Sequence, residues 1–115
     1  MSDNPIVEKE LEEKEMVRMF FENKRHGFFI EVGANEPDPV YSQSLHLEQY
    51  LDWKGLLIEP IDYLAERLKN ERPRSKVIQV ACTSPHKTGK TELIIPVSKN
   101  GDISGFASLE ANIDY

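Results

Sequence analysis

The sequence predicts an α/β fold in which helices alternate with the strands of a parallel sheet. Three apolar runs, at 28–32, 56–58 and 77–82, each have the length and composition of a buried strand. Helical spacing of apolar residues fills the segments between them. Strand, helix, strand, helix, strand is the order of a parallel sheet with right-handed crossovers. Ligands in such sheets bind beyond the carboxyl ends of the strands, so the residues after each strand are the candidate site.

A helix is predicted over residues 5–24, before the first strand. Asn4 suits an N-cap, Pro5 suits the first helical position, and the glutamates that follow favour the positive end of the helix dipole. Its apolar residues recur at helical spacing, which predicts that the helix packs on the sheet before Gly27 closes it. These residues are Val7, Leu11, Met16, Val17, Phe20 and Phe21.

Two further helices follow the first and second strands. Two prolines make the 36–39 loop rigid, and Ser42 and Ser44 are alternative caps for a short helix that ends near Trp53. Gly55 is the expected turn into the second strand. Asp62 is the expected cap of a third helix, which carries the apolar residues Leu64, Ala65 and Leu68 and ends at 72–74. A hairpin turn is predicted at 87–90, followed by a strand at 91–97 and a loop at 98–105.

Length, charge and cysteine content limit the class of protein. The 115 residues predict one domain, with a leading helix at 1–26, an α/β core at 27–97 and a tail at 98–115. A net charge of -6 argues against a nucleic acid partner. Cys82 is the only cysteine, so no internal disulfide is expected, and neither a signal segment nor a membrane-length apolar run is visible. The expected location is the cytoplasm, with no membrane partner.

Two residues at the ends of predicted strands are the strongest candidates for ligand contact. Gly33 lacks the Cβ that would hold a ligand away from the backbone, although it also suits a plain turn. Glu59 can accept two hydrogen bonds from a ribose diol, with an ordinary strand-end charge as the alternative. Glu31 lies inside an apolar strand and either serves function or caps loop amides. Asn35 is either part of the site or a loop residue that tolerates a left-handed conformation.

Other chemistries find less support in the sequence. His26, His46 and His86 have no metal-ligand spacing, so no metal site is predicted. Cys82 on a strand without a positioned base is more typical of a small hydrophobic residue than of a nucleophile. The chain also lacks the glycines of a pyrophosphate-binding turn, since only Gly33 is present, which argues against NAD or FAD.

Several of these segments together resemble one family. The segments at 29–37 (FIEVGANEP) and 53–60 (WKGLLIEP), with Ser42, Ser44 and Arg72-Pro73, resemble FkbM-type methyltransferases. The similarity extends from about residue 16 to 108. The resemblance implies a Rossmann-like, class I methyltransferase-like fold and S-adenosylmethionine as the cofactor.

The resemblance also implies a set of cofactor contacts. The 31–35 segment, which includes Glu31, Gly33, Ala34 and Asn35, would lie against the methionine part of the cofactor. Glu59 would hold the ribose and Ile61 would lie near the adenine. Ala81 and Cys82 would approach the adenine edge from the third strand.

The chain departs from the family pattern at its carboxyl end. Members of the family continue into further strands, helices and an acceptor site, so the fold is expected to be truncated after the third strand and a hairpin. The expected activity is methyl transfer to a hydroxyl of a small molecule or sugar, with the catalytic base unknown. The alternative is a catalytically inactive binding or assembly module. A homo-oligomer is expected in either case, because a truncated sheet exposes edges and apolar faces.

Overall fold

The computed structural model describes residues 4–39, 42–90, 92–94 and 108–109. It confirms an α/β fold with three helices and a three-stranded parallel sheet. The helices are α1 (Pro5–Phe20), α2 (Leu45–Leu51) and α3 (Asp62–Glu71), and the strands are β1 (Phe28–Val32), β2 (Lys54–Ile58), β3 (Lys76–Ile78), β4 (Leu93–Ile94) and β5 (Ser108–Leu109).

The sheet order is β1-β2-β3, with β2 in the centre. Phe29 of β1 pairs with Gly55 and Glu31 pairs with Leu57, so these four positions share one face. Leu57 also pairs with Val77 of β3. The core lies on this face: Leu57 packs with Ala34 and Leu68, and a second cluster joins Leu47, Leu51 and Trp53 to the ring of Phe29. We call it the helix-bearing face, because α2 and α3 both contribute to it.

The opposite face of the sheet has no helix packed on it in the described structure. It carries Phe28, Ile30 and Val32, which are 62%, 61% and 61% exposed. The prediction that 28–32 is a buried strand is therefore wrong, since every second residue is exposed and the two residues between them are half-buried. We call this the open face. Its residues are Phe28, Ile30, Val32, Lys54, Leu56, Ile58, Lys76 and Ile78.

Helix α1 begins at Pro5 as predicted, but it ends at Phe20, and residues 21–23 form a turn. Glu22 and Asn23 both have a φ of 53°, so the helix cannot continue to residue 24. The predicted packing of its apolar stripe on the sheet is also wrong: Leu11, Met16 and Phe20 are 52%, 67% and 80% exposed. The polar side of α1 contacts the rest of the chain instead.

Two glycines serve packing rather than chain reversal. A Cβ on Gly27 would lie 2.3 Å from the ring of Trp53, and a Cβ on Gly55 would lie 2.4 Å from the ring of Phe29. Gly55 was expected to form the turn before the second strand, but it lies within β2. The aromatic rings occupy the space that any side chain at these positions would need.

The carboxyl-terminal part of the sequence differs most from the prediction. Strand β3 ends at Ile78 rather than at residue 82. Strand β4 pairs with β5 in a separate antiparallel sheet, so the turn at 87–90 does not join β3 to β4 in a hairpin. The predicted strand residues 91 and 95–97 and the predicted loop 98–105 lie outside the described residues. No described helix has both the length and the apolar character that crossing a bilayer requires.

Candidate functional site at the carboxyl edge of the sheet

Glu59 follows the last residue of the central strand and connects two loops. Its side chain is buried, with a residue exposure of 3%. Oε1 accepts a hydrogen bond from the Asn35 N–H at 2.8 Å, and Oε2 accepts one from the Ile61 N–H at 2.9 Å. The carboxylate thus fixes the loop after β1 to the loop after β2. We call residues 33–35 and 59–61 the carboxyl edge.

The loop after β1 has a left-handed backbone at two positions. Gly33 has a φ of 73° and Asn35 a φ of 59°, which agrees with the prediction that Asn35 is a loop residue in this conformation. Apart from the glycine and its two chain neighbours, no heavy atom of the described residues lies within 4 Å of where a Gly33 Cβ would be, so the backbone there faces open space. Ala34 differs, since its side chain is buried in the core with Leu57.

The remaining predicted contacts follow the ends of β2 and β3. Ile61 is 2% exposed and occupies the N-cap position of α3, so Asp62 is the first helical residue and not the predicted cap. Ala81 is half-buried and Cys82 is exposed, and both follow the end of β3. All eight predicted contact residues therefore lie in or after the carboxyl ends of three neighbouring parallel strands.

Glu31 lies on the helix-bearing face of β1, where it pairs with Leu57 of β2. Glu59 is two positions further along β2's side of the sheet, after the end of that strand. Glu31 Oε1 accepts a hydrogen bond from the Ser44 hydroxyl at 2.5 Å. Burial raises the pKa of Glu31, while this hydroxyl and the nearby Arg72 guanidinium oppose the increase. The sequence left two roles open for Glu31, and the contacts match the capping role, because the backbone N–H groups of Gln43 and Ser44 also donate hydrogen bonds to its carboxylate.

A buried ionic cluster lies behind the edge. Arg72, 1% exposed, makes a bidentate contact with Glu48: Nε lies 2.9 Å from Oε2 and Nη2 lies 2.8 Å from Oε1. Its guanidinium also donates to the hydroxyls of Ser42 at 3.1 Å and Ser44 at 3.0 Å. The Ser75 hydroxyl donates to Glu48. Every polar side chain of this cluster is therefore partnered.

The two serines divide the roles that the sequence left open. Ser42 Oγ accepts from the Leu45 N–H at 3.2 Å, which is a capping contact for α2. Ser44 occupies the N-cap position without a side-chain cap bond, and its hydroxyl connects Glu31 to Arg72 instead. Neither serine is placed as a nucleophile.

A second polar contact holds α1 against α2. Arg18 Nη1 lies 2.7 Å from His46 Nδ1, which assigns the hydrogen of the neutral ring to Nε2. Nε2 is buried and has no hydrogen-bond partner among the described residues. Burial, with the Arg18 charge beside the ring, lowers the pKa of His46 to about 4. His46 is therefore neutral at physiological pH.

Sequence reasoning missed the role of Glu48, Arg72 and His46. Glu48 and His46 lie beside Leu47 on a helix too short for its polar and apolar sides to be separated by spacing. Arg72 was interpreted as part of a helix stop and of the segments that resemble the FkbM family, but not as the partner of a buried carboxylate. No spacing in the sequence connects Arg72 with its acidic partner, which lies 24 residues away.

Within the described chain, no group of three or more His, Cys, Asp or Glu residues is arranged to hold a metal ion. Comparisons of the chain with protein-family models, with curated proteins and with solved structures found no match. The carboxyl edge is therefore interpreted from its own geometry.

Proposed function

We propose that the chain binds S-adenosylmethionine at the carboxyl edge, as the cofactor-binding part of an FkbM-like methyltransferase with a class I methyltransferase-like fold. The position of the Glu59 carboxylate carries this proposal. It lies at the end of the central strand, where the loops after β1 and β2 meet. A carboxylate offers about four acceptor positions, and the two loop amides use two of them. The other two suit the hydroxyls of a ribose.

The charge of the edge supports a cationic ligand. Glu31, Glu36 and Glu59 lie in or just after β1 and β2, and the loop after β1 offers no run of glycines for a diphosphate. S-adenosylmethionine carries a sulfonium and an amino group, which acidic neighbours attract, whereas they repel the phosphates of a dinucleotide. The open backbone at Gly33 allows the methionine part to approach the chain.

The proposed reaction is methyl transfer to a hydroxyl of a small molecule or sugar. The methyl carbon would leave the sulfonium sulfur and bond to the acceptor oxygen, while the hydroxyl proton passes to a base. Such a displacement depends chiefly on alignment of the two reactants. The contribution of the carboxyl edge is to hold the cofactor in one orientation.

The test is a cofactor titration that separates recognition of the ribose from support of the loops. Binding of S-adenosylmethionine and of its 2′-deoxy analogue is measured by calorimetry in the parent chain and in Glu59→Gln. The matched control is Glu66→Gln, because Glu66 is exposed on α3 and its loss changes the net charge equally. We expect the parent chain to prefer the ribose over the deoxyribose by about tenfold, in line with one hydrogen bond to a charged group.

The ratio of the affinities for S-adenosylmethionine and its 2′-deoxy analogue decides between the two roles of Glu59. If Glu59 contacts the ribose, Glu59→Gln reduces the preference for the 2′-hydroxyl, and Glu66→Gln leaves it unchanged. If Glu59 only supports the loops, Glu59→Gln lowers the affinity for both ligands by the same factor. The preference for the 2′-hydroxyl then remains. Absence of binding by the parent chain would refute the proposal itself.

One observation favours a second function, that of a catalytically inactive binding or assembly module. Both carboxylates of the proposed site already have partners within the protein, and Glu59 is only 3% exposed. A carboxylate that serves only to connect two loops would look the same. Under this alternative the fold remains a scaffold, and the titration above detects no cofactor.

A further inference from the structure

The open face and helix α1 present two complementary apolar surfaces that nothing in the described structure covers. The β1 residues of the open face are about three-fifths exposed, with Phe28 at 62% and Ile30 at 61%. Parallel sheets normally have helices on both faces, because their strands are apolar on both sides. Here α2 and α3 cover only the helix-bearing face.

Helix α1 carries an exposed apolar ridge. Met16, Met19 and Phe20 are 67%, 65% and 80% exposed, and their i, i+3 and i+4 spacing places them together on one side. The opposite side of α1 is polar: Lys14 donates to the Pro39 carbonyl at 3.0 Å, and Arg18 contacts His46. These contacts hold the polar side of α1 against its own chain and leave the ridge facing outward.

The charges of the two surfaces are opposite. Lys54 and Lys76 are the only charged residues of the open face, both are exposed, and neither forms an ion pair in the described part of the chain. The α1 segment that leads to the ridge is acidic, and contains Glu12 and Glu15. A helix that brought its ridge onto the open face would therefore bring carboxylates towards unpaired lysines.

We propose that α1 of a second copy of this chain packs across the open face, and that the exchange is reciprocal in a twofold-symmetric dimer. Twofold symmetry repeats each contact, which helps a modest patch approach the roughly 1,200 Å² that stable interfaces bury. The 16 residues of α1 extend about 24 Å, enough to cross three strands spaced about 4.8 Å apart.

The first test is the mass of the chain in solution at micromolar concentration by sedimentation. A dimer is expected, and a monomer would overturn the proposal. Ile30→Asp places a carboxylate on the open face and should weaken dimerisation at least tenfold, through loss of a buried aliphatic group and repulsion of acidic α1. Tyr63→Asp is the matched control, because Tyr63 is 51% exposed on α3, away from the open face, and should leave the dimer intact.

Charge reversal tests the partner surfaces. Lys54→Glu with Lys76→Glu should weaken the dimer, and adding Glu12→Lys with Glu15→Lys should restore it. Failure of the second pair to restore association would show that α1 is not the partner. Because all four side chains are exposed, these changes leave the core of the monomer unaltered.

Cross-linking distinguishes this dimer from sheet-to-sheet association. In a Cys82→Ser background, chains with Met19→Cys are mixed with chains with Ile30→Cys under mild oxidation. A disulfide between the two kinds of chain is expected. A disulfide formed by Ile30→Cys chains alone, without one to Met19→Cys chains, would show that two open faces pack together and would overturn the proposal.

Discussion

Removal of the Arg72 guanidinium should destabilise the fold more than the loss of any exposed charge. Arg72→Met would leave the Glu48 carboxylate, 5% exposed, without its bidentate partner, and the hydroxyls of Ser42 and Ser44 without a donor. Breaking a buried pair by removing one partner costs about 3–5 kcal/mol. Domains of this kind have a total free energy of unfolding of about 5–15 kcal/mol, so the variant is expected to be close to the limit of folding.

The measurement is urea unfolding followed by fluorescence of Trp53. This residue is the only tryptophan of the chain, it is 5% exposed, and it lies in edge contact with the ring of Phe21. Its fluorescence is therefore expected to change when the core unfolds. The change in the midpoint urea concentration, multiplied by the slope of the unfolding free energy against urea concentration, gives the change in free energy of unfolding.

Two further variants separate the charge from the packing. Arg72→Met with Glu48→Met replaces both charges and should recover at least about 2 kcal/mol of the loss, since no unpaired charge remains. Arg67→Met is the control, because Arg67 forms an exposed i,i+4 pair with Glu71 and should cost less than about 1 kcal/mol. Equal costs for Arg72→Met and Arg67→Met would refute the assignment of a stabilising buried cluster.

Two other perturbations test the contacts around this cluster. Stability should fall by about 2 kcal/mol between pH 7 and pH 5 through His46 alone, because the unfolded imidazole binds a proton with a pKa near 6.5 and the folded one at about 4. His46→Gln should remove that part of the pH dependence in denaturation curves, and an unchanged slope would contradict the lowered pKa. Gly55→Ala should lower the thermal midpoint through a loss of about 1–3 kcal/mol, since its Cβ would lie 2.5 Å from the Phe29 carbonyl oxygen. A variant as stable as the parent would show that the ring of Phe29 does not fill that space.

The local elements were largely predictable from the sequence. Leu64, Ala65 and Leu68 predicted the buried side of α3, and all three are at most 3% exposed. The strand–helix alternation predicted parallel pairing, which the order β1-β2-β3 confirms. These features depend on neighbours within a few residues, which spacing reveals directly.

The surroundings of those elements were less predictable. Ile30 and Phe20 are apolar at positions where the periodicity is correct, yet both are exposed. An apolar pattern states which side of an element favours burial, but not whether another element covers it. Gly55 shows the same limit. A glycine is needed there because the ring of a residue on a neighbouring strand fills the space of a side chain, and not because the chain turns.

The buried cluster gives a physical reason for the motif that suggested a methyltransferase. Ser42, Ser44 and Arg72 are separated by up to 30 residues in the sequence, yet their side chains meet in one hydrogen-bonded group with Glu48. Ser44 extends that group to Glu31 on β1. The cluster therefore fixes α2 and the end of α3 relative to the carboxyl end of β1, which is the edge where the cofactor is proposed to bind. Substitutions in the cluster are expected to change ligand binding by shifting the position of that edge, although the cluster itself does not contact a ligand.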